Sequence, residues 1–355
     1  GLVTEALDCI QQMQEEDVFL DSVIFVCGLK ACSGIRNVDK GQQLHADVVK
    51  EGFEMDKSVA CALVDMYVKC GHLKEAEEVF DQLIDHDVVV WNALITGYAN
   101  HGLFEEWFTC FKQMRGEGVC PDAVTYLGSL KLCCNVKAIG KGRELHMDIV
   151  KQGLERNLSI SNSLVAMYAK TGLLEEASIV FDAMLVQDVV SWTILITGHA
   201  ESGFVEEAWK SFEQMQRLGV LPNVVTFLCM LKTCIGIGAI ERGRALHYDI
   251  IKAEVESDST IGNALVTMYC NCGSLREAWD VFNELSVQDV VSWSAIILGH
   301  ANHGENEFSF TLYRTMQEQG LLPNGVTFVS VLTACSDSAS LEAGRRIHTQ
   351  MNNSA

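Results

Sequence analysis

The sequence predicts an all-α fold, a superhelical solenoid built from stacked helix-turn-helix units. Only 3 prolines interrupt 355 residues, so most of the chain is free to form helices. Several residue types recur at a fixed step of 101 residues. Apolar side chains follow the i, i+3, i+4, i+7 spacing of amphipathic helices. Because a helix pair cannot bury both of its faces alone, we expect about 22 helices stacked around one continuous core.

The composition is that of a soluble, cored protein: 48% of the residues are apolar, 21% charged and 8% aromatic. These fractions exclude a disordered or collagen-like chain. The net charge of −21 argues against a simple basic nucleic-acid binder. No run of 18 apolar residues is present, so no membrane span is predicted. The chain starts within the repeating pattern, without an initiator Met or targeting segment, and is expected to be a fragment of a longer protein.

The period of 101 residues is shared by five residue types. The recurring positions are Pro121, Pro222 and Pro323; Trp91, Trp192 and Trp293; Asp87, Asp188 and Asp289; His45, His146, His247 and His348; and Cys32, Cys133, Cys234 and Cys335. Each period divides into three unlike parts of 35, 35 and 31 residues. The sequence therefore predicts an array of alternating units rather than separate globular domains.

Each part is predicted to be a helix, a turn and a second helix. In the part that starts at Val88, Trp91 and Tyr98 lie on one face of the first helix. Gly102 then marks the turn, and Phe104 and Phe111 repeat the same spacing on the second helix. The prolines stand near the end of the part, where one helix has stopped and the next begins.

These strings resemble the pentatricopeptide repeat family of plants, in the subclass that alternates standard, long and short repeats. The standard repeat is carried by DVVSWTILITGHAESG and EEAWKSFEQMQRLGVLPN, the long one by VTFVSVLTACSDSASLEAGRRIH and the short one by IGNALVTMYCNCGSLREAWDVF. The resemblance covers the whole chain and implies a right-handed superhelical α-solenoid. It also implies that the C-terminal extension and the deaminase-like DYW domain of this subclass are absent from this piece.

The resemblance sets the repeat boundaries in chain order. The expected repeats are a partial standard one at 1–21, long 22–56, short 57–87, standard 88–122, long 123–157, short 158–188, standard 189–223, long 224–258, short 259–289, standard 290–324 and a partial long one at 325–355.

No residue pattern predicts catalysis. The recurring cysteines would lie far apart along a solenoid, so we interpret them as small buried residues rather than zinc ligands. The recurring histidines occupy one lattice position, which favours interhelical hydrogen bonds or core packing. No phosphate loop, nucleophile elbow or HExxH motif occurs. We therefore expect no enzyme activity, cofactor or metal, and a hydrolase or nuclease is the least supported hypothesis.

The candidate base-reading residues are polar and lie outside the apolar stripes. They are the fifth and last residues of the standard and short repeats: Asn92 with Asp122, Asn162 with Asp188, Thr193 with Asn223, Asn263 with Asp289, and Ser294 with Asn324. Asn, Asp, Ser and Thr are also the preferred helix caps, which is the alternative interpretation. The resemblance favours recognition of one single-stranded RNA base per repeat.

By the family's pairing rule, Asn with Asp takes uridine and Thr or Ser with Asn takes adenosine, 5′ to 3′ along the chain. The expected core is U-n-U-A-n-U-A, since long repeats occupy a nucleotide without choosing it. Cys61 with Asp87 departs from the pattern and leaves its base unassigned.

The charge distribution has to be reconciled with RNA. Acidic pairs such as Glu105 and Glu106 start second helices, where they favour the helix N-terminus and are expected to face away from the RNA. Lysines recur on first helices, and the resemblance places Lys69 and Lys170 near RNA phosphates. Low nonspecific affinity and reliance on base contacts are therefore expected.

The resemblance implies the RNA-recognition tract of an organellar RNA-processing factor, most often one for C-to-U editing, in the mitochondrion or chloroplast, with the mitochondrion preferred. The alternative is a scaffold that binds proteins or peptides along the same solenoid. Long repeats place Val26, Leu127, Leu228 and Val329 at the fifth position, where related proteins contact editing-factor partners.

Overall fold

The computed structural model describes residues 2–16, 18–255, 257–337 and 341–354. These residues form 21 α-helices and one short 3-10 helix, without a strand. The all-α prediction is confirmed. One helix fewer than expected is present because residues 1–21 contribute a single helix, Leu2–Glu15. Within the same residues, no helix is both long enough and apolar enough to cross a bilayer.

The chain divides into two compact units, Gly1–Val186 and Gln187–Ala355. The helices of the first unit are α1 (Leu2–Glu15), α2 (Ser22–Ile35), α3 (Val38–Lys50), α4 (Lys57–Cys70), α5 (Leu73–Asp81), α6 (Val88–His101), α7 (Phe104–Gly116), α8 (Ala123–Asn135), α9 (Ile139–Lys151), α10 (Leu158–Lys170) and α11 (Leu174–Asp182), with the 3-10 helix Leu154–Arg156 before α10.

The second unit has the same alternation of helices. It consists of α12 (Val189–Glu201), α13 (Val205–Arg217), α14 (Val224–Ile237), α15 (Ile240–Lys252), α16 (Ser259–Asn271), α17 (Leu275–Glu284), α18 (Val290–Asn302), α19 (Asn306–Glu318), α20 (Gly325–Asp337) and α21 (Leu341–Ser354). Every complete predicted repeat contains two of these helices. The even-numbered helices from α2 are called first helices below, and the odd-numbered helices from α3 are called second helices.

First helices form a continuous layer within each unit. In the first unit α2 packs on α4, α4 on α6, α6 on α8 and α8 on α10. In the second unit α12, α14, α16, α18 and α20 follow each other in the same way. Each second helix covers the first helix before it, as α11 covers α10 and α13 covers α12. This is the packing of an all-α repeat solenoid.

First helices begin at an Asp or Asn that accepts hydrogen bonds from the free N–H groups of the first turn. The capping residues of α2 to α18 are Asp21, Asp56, Asp87, Asp122, Asn157, Asp188, Asn223, Asp258 and Asp289. Each is the last residue of a predicted repeat. Second helices have no side-chain cap of this kind from α5 to α19.

The core is made of the apolar stripes that the sequence predicts. Trp91, Trp192 and Trp293 are buried at equivalent positions. Helices α4 and α6 approach closely at Gly97. A Cβ atom added to Gly97 would lie 2.7 Å from the Cγ1 atom of Val68. A β-branched valine cannot move aside easily, so this crossing of α4 and α6 needs glycine.

The recurring cysteines and histidines are structural. Cys133 and Cys234 are fully buried, and burial raises the pKa of each thiol to about 12. The Nδ1 atom of His45 lies 2.9 Å from the hydroxyl of Tyr67. This contact recurs one and two periods later, at His146 with Tyr168 and at His247 with Tyr269. The interpretation of these histidines as interhelical hydrogen-bonding residues is confirmed.

Candidate nucleic-acid interface

The predicted base-reading residues meet at the N-terminal ends of the first helices. The fifth residue of a repeat lies one turn into its own first helix, and the last residue of that repeat caps the next first helix. Within a unit neighbouring first helices pack side by side, and the two side chains contact each other in three pairs: Asn92 with Asp122, Asn263 with Asp289, and Ser294 with Asn324. The interpretation of the last residues as helix caps is confirmed, and base reading by the same residues stays a prediction.

The pair Asn92 and Asp122 shows the arrangement in full. The Nδ2 atom of Asn92 donates to Oδ1 of Asp122 at 2.9 Å. The same carboxylate oxygen accepts from the backbone N–H of Thr125 at 3.0 Å. The hydroxyl of Thr125 lies 2.5 Å from Oδ1 of Asn92. Three side chains from two helices thus form one hydrogen-bonded cluster.

The carboxyl group of Asp122 is ionised in this cluster. Burial raises its pKa, but hydrogen bonds from the Thr125 backbone, the Asn92 amide and the Thr125 hydroxyl together outweigh burial, so the pKa lies below its ordinary value. An ionised carboxylate only accepts hydrogen bonds. Asp122 therefore offers a base a further acceptor, and Asn92 offers its second N–H as a donor.

The pair Thr193 and Asn223 has different chemistry at the same place. The hydroxyl of Thr193 donates to the backbone carbonyl of Val189 at 2.6 Å and lies 2.7 Å from the hydroxyl of Thr226. The backbone N–H of Thr226 donates to Oδ1 of Asn223 at 2.9 Å. Because the Oδ1 atom of Asn223 accepts this capping hydrogen bond, the Nδ2 group of Asn223 is the donor that remains for a ligand.

Ser294 and Asn324 repeat that arrangement one period later. The hydroxyl of Ser294 donates to the carbonyl of Val290 at 2.6 Å and lies 2.7 Å from the hydroxyl of Thr327. A cavity of about 220 Å³ between α16, α18 and α20 includes Ser294 and Asn324 in its wall. The two polar side chains are thus at the edge of a space that a ligand can enter.

Of the two pairs that begin in short repeats, Asn263 with Asp289 lies within one unit and its hydrogen bonds are longer than that of Asn92 with Asp122. Asn263 donates through Nδ2 to both carboxylate oxygens of Asp289, each at 3.3 Å. Asn162 and Asp188 belong to different units. The Oδ1 atom of Asn162 is buried and has no hydrogen-bond partner in the described part of the chain. Because buried polar atoms normally have hydrogen-bond partners, the Oδ1 atom of Asn162 is an exception in this structure.

A feature that the sequence interpretation missed is a series of exposed valines. From α6 onward, the second residue of each first helix after a standard or short repeat is Val, and about half of its surface is exposed: Val89, Val124, Val190, Val225, Val291 and Val326. These side chains flank the polar pairs on the first turn. Val291 and Val326 line the cavity at Ser294. The signal was present in the sequence as a valine two residues after each capping residue that ends a standard or short repeat.

Charge is distributed unevenly over the two helix layers. The first helices α2 to α18 contain six lysines and only two acidic residues, Asp65 and Glu201, although the chain carries −21 overall. Lys131 extends to Oδ1 of Asn100 on the neighbouring first helix at 3.2 Å. The bodies of the first helices therefore carry more positive than negative side chains, whereas the aspartates that cap them, the second helices and the connections carry the excess acid.

The two predicted phosphate contacts differ in their surroundings. Lys170 is exposed at the end of α10. Lys69 is also exposed, but its ammonium group pairs with Asp65 one turn earlier in α4, at 2.8 Å. An i, i+4 pair of this kind on a surface is weak, yet it partly neutralises the lysine. Lys170 is the stronger candidate for a phosphate contact.

The long repeats present apolar side chains where other repeats have the polar fifth residue. Val329 is exposed, and Val26, Leu127 and Leu228 are partly exposed. No base-reading amide or hydroxyl is available at these four positions. Among the described residues, no three His, Cys, Asp or Glu side chains are grouped so that they could hold a metal ion.

Comparison with protein-family models and with curated proteins identifies this repeat. The model described as "PPR repeat family" matches residues 86–135, 187–236 and 288–337, and the model described as "PPR repeat" matches 59–88, 159–189 and 263–290. A putative pentatricopeptide repeat-containing protein of Arabidopsis thaliana is 34% identical over 97% of this chain and 49% of its own length. A chloroplastic one is 35% identical over 98% and 57%, and a mitochondrial one is 35% identical over 92% and 47%.

The chain spans about half the length of these relatives. Among solved structures, the pentatricopeptide repeat protein PPR10 from maize is 18% identical, with a TM-score of 0.62 over 95% of this chain and 56% of its own. PPR10 in complex with an 18-nt psaJ RNA element is 15% identical, with a TM-score of 0.71 over 97% and 52%. At this identity the likeness establishes the fold alone. The repeat models and the pentatricopeptide relatives together show that the chain belongs to the PPR repeat family.

Proposed function

We propose that this chain binds single-stranded RNA in a sequence-specific way, with one nucleotide for each repeat. The observation that carries the proposal is the contact between the fifth residue of a repeat and the residue that caps the next first helix, seen at Asn92 with Asp122, Asn263 with Asp289 and Ser294 with Asn324. Unlike an ordinary cap, Asn92 with Asp122 and Thr193 with Asn223 retain donors or acceptors that the hydrogen bonds described above do not use. The structure of PPR10 in complex with RNA, which shares the fold of this chain, also supports RNA binding as the proposed function.

The chemistry of Asn92 and Asp122 suits uridine. The Watson–Crick edge of uracil presents the N3–H donor between two carbonyl acceptors. The carboxylate of Asp122 can accept from N3–H, and the second N–H of Asn92 can donate to a carbonyl oxygen. Asn263 with Asp289 offers the same groups. Adenine lacks both a carbonyl oxygen and an N–H at N1, so it suits this pair less well.

The chemistry of Thr193 and Asn223 suits adenosine. The Watson–Crick edge of adenine presents an amino donor beside the N1 acceptor. The hydroxyl of Thr193 donates its proton to the backbone carbonyl of Val189, so the Thr193 hydroxyl oxygen can accept a hydrogen bond from the adenine amino group. Nδ2 of Asn223 can donate to N1. Ser294 and Asn324 repeat this combination. The proposed core is therefore U-n-U-A-n-U-A.

The exposed valines supply the complementary contact to base faces. An unstacked base needs an apolar surface on its faces as well as partners on its edge. Val124 stands beside Asp122, and Val225 stands beside Asn223. The lysines of the first-helix layer, Lys170 foremost, supply charge for the phosphates. The bodies of the first helices thus offer lysines to the phosphates within a chain that is acidic overall, and the capping aspartates are left to face the base edges.

The finer role is also a proposal. We place the chain in the subclass with standard, long and short repeats, as the recognition tract of an organellar RNA-processing factor for C-to-U editing. The mitochondrion is slightly preferred over the chloroplast, and relatives named for both organelles support an organellar location. Catalysis would belong to a DYW-type domain outside this chain. The long repeats, through Val26, Leu127, Leu228 and Val329, would contact editing-factor proteins.

A peptide-binding scaffold is the second candidate. The overall charge of −21 favours it, because a basic peptide would be attracted to the acidic second helices. The polar pairs on the first helices oppose it, since a peptide ligand would not require alternating amide–carboxylate and hydroxyl–amide pairs at a fixed period.

A binding titration separates these functions. The probe is a single-stranded oligoribonucleotide of about ten nucleotides that contains UAUAAUA, compared with a scrambled sequence of equal composition and with its duplex. We expect micromolar or tighter affinity for the matched strand, weaker binding of the other two and a shallow salt dependence. Equal, weak binding of matched and scrambled strands at low salt would reject sequence-specific RNA recognition in favour of the scaffold.

A further inference from the structure

Three of the first helices that begin long repeats, α8, α14 and α20, carry a buried threonine in the third position, whereas α2 has Ile24 there. These residues are Thr125, Thr226 and Thr327, and none of them has exposed surface. Each hydroxyl lies within 2.7 Å of the fifth residue of the preceding repeat: Asn92, Thr193 and Ser294, respectively. A buried hydroxyl cannot touch a base, so its effect on RNA must pass through the residue that it contacts.

The donor and acceptor roles at Asn92 are fixed by elimination. Because the ionised carboxylate of Asp122 only accepts, the group of Asn92 that faces it at 2.9 Å is the Nδ2 donor. The carbonyl oxygen of Asn92 then faces Thr125, and a carbonyl only accepts, so the Thr125 hydroxyl donates to it at 2.5 Å. Oδ1 of Asp122 is the other acceptor in reach of that hydroxyl, at a longer 3.1 Å.

The amide of Asn92 is consequently held at both ends. Asp122 holds the nitrogen end and Thr125 holds the oxygen end, which prevents rotation about the bond between Cβ and Cγ. The orientation of an amide determines which base edge it matches. Uracil places an acceptor, O4, beside a donor at N3, whereas cytosine places an amino donor beside an acceptor at N3. A fixed amide can therefore distinguish uracil from cytosine better than a mobile one.

We infer that Thr125 is a positioning residue for base selection: it donates to Asn92, fixes the amide plane and so raises the preference for uridine over cytidine at that repeat. The inference rests on the proposed function. It extends base selection beyond the fifth and last residues to a third side chain that lies in the following repeat and never meets the RNA.

The chain supplies a matched control at Asn263 and Asp289. Here the third residue of the next first helix is Ser292, which donates to the backbone carbonyl of Asp289 at 2.9 Å rather than to the reading amide. This pair offers the same amide and carboxylate without the third contact. Removing the Ser292 hydroxyl should therefore leave base selection by Asn263 as it was.

The test compares Thr125→Val, Thr125→Ser and Ser292→Ala with the parent protein. Affinities are measured for the UAUAAUA strand with U or C at its first position, which Asn92 reads, and with U or C at its sixth position, which Asn263 reads. Loss of one hydrogen bond predicts that Thr125→Val lowers the U-to-C affinity ratio at the first position about three- to tenfold. The ratio at the sixth position should not change.

Thr125→Ser keeps the hydroxyl and should keep the ratio, and Ser292→Ala should leave both ratios unchanged. Thermal unfolding of every variant separates positioning from stability, because a purely structural threonine would lower the melting temperature and all affinities together without changing a ratio. An unchanged first-position ratio in Thr125→Val, while the parent protein prefers U, would overturn the inference alone. A parent protein without any preference at that position would overturn the proposed base recognition as well.

Discussion

The Nδ1 atom of His146 lies 3.0 Å from the hydroxyl oxygen of Tyr168, and this contact ties a second helix to the first helix of the next predicted repeat. His146 is half-buried in α9, and burial lowers the pKa of its imidazole below the ordinary value. Burial likewise lowers the pKa of His45 and His199, although Glu54 and Glu207 oppose the shift. Each of these histidines is therefore held in its neutral form.

The fold should lose stability on mild acidification. A histidine whose pKa is lower in the folded chain binds its proton more readily when unfolded, so stability decreases as the pH falls below the ordinary histidine pKa of about 6.5. We expect a lower melting temperature at pH 5 than at pH 7.5. Replacing His146→Gln should make this decrease smaller, as followed by circular dichroism across that range.

Tyr168→Phe provides the control for the cause of the effect. It removes the hydrogen bond but leaves His146 buried, and burial is what lowers its pKa. The pH dependence should therefore remain in Tyr168→Phe. If Tyr168→Phe and His146→Gln both flatten the curve equally, the hydrogen bond rather than burial controls the titration.

The caps at the ends of long repeats should affect stability alone. Oδ1 of Asp258 accepts from the backbone N–H groups of Thr260 at 2.8 Å and Ile261 at 3.2 Å. Asp258→Ala should lower the free energy of unfolding by about 1 kcal/mol, whereas Asp258→Asn should cost little because Asn also caps helices. Urea unfolding measures both. The base preferences of the RNA should be unchanged, since Leu228 at the fifth position of this repeat offers the cap no polar partner.

The sequence predicted the fold because the information is local and repeated. The helix pairs follow from the spacing of Trp91 and Tyr98, the turn at Gly102 and the prolines that recur every 101 residues. The close crossing at Gly97 was not predictable, because its partner Val68 lies on a neighbouring helix and the distance between them depends on packing.

The candidate site was predictable in part for the same reason. The fifth and last residues could be named from the period, although the assignment of bases to them stays a prediction. Thr125 could not be named, since its role depends on which group of Asn92 faces Asp122. The pairing of Lys69 with Asp65 follows the i, i+4 rule and could have been anticipated from the sequence.

The two candidate phosphate contacts should contribute unequally to RNA affinity. Lys170→Ala should weaken binding of matched and mismatched strands by a similar factor and reduce the salt slope by about 1. Lys69→Ala should have a smaller effect, because Asp65 already neutralises part of that charge. Titrations at three salt concentrations test both variants. Asp65→Asn offers the converse control: it should raise affinity if Lys69 faces a phosphate.

The sharpest prediction concerns exchange of the reading pair at Thr193 and Asn223. Thr193→Asn combined with Asn223→Asp places at this repeat the groups that Asn92 and Asp122 have one period earlier, and Thr226 is already present in the place of Thr125. The double variant should therefore prefer U where the parent protein prefers A. The swing should be about 1–3 kcal/mol for that single base, as for other base-edge contacts.

Four titrations decide this outcome: the parent protein and the double variant, each against UAUAAUA and against the same strand with U at its fourth position. Thr193→Asn alone leaves Asn223 in place, so it supplies a donor where N3–H of uracil needs an acceptor and should favour U less than the double variant does. A change of preference confined to the fourth nucleotide would fix the register of every repeat along the RNA. If the double variant still prefers A at that position, or if the preference changes at another nucleotide, the assigned register is wrong, because side chains that meet a base edge must act on the base that they meet.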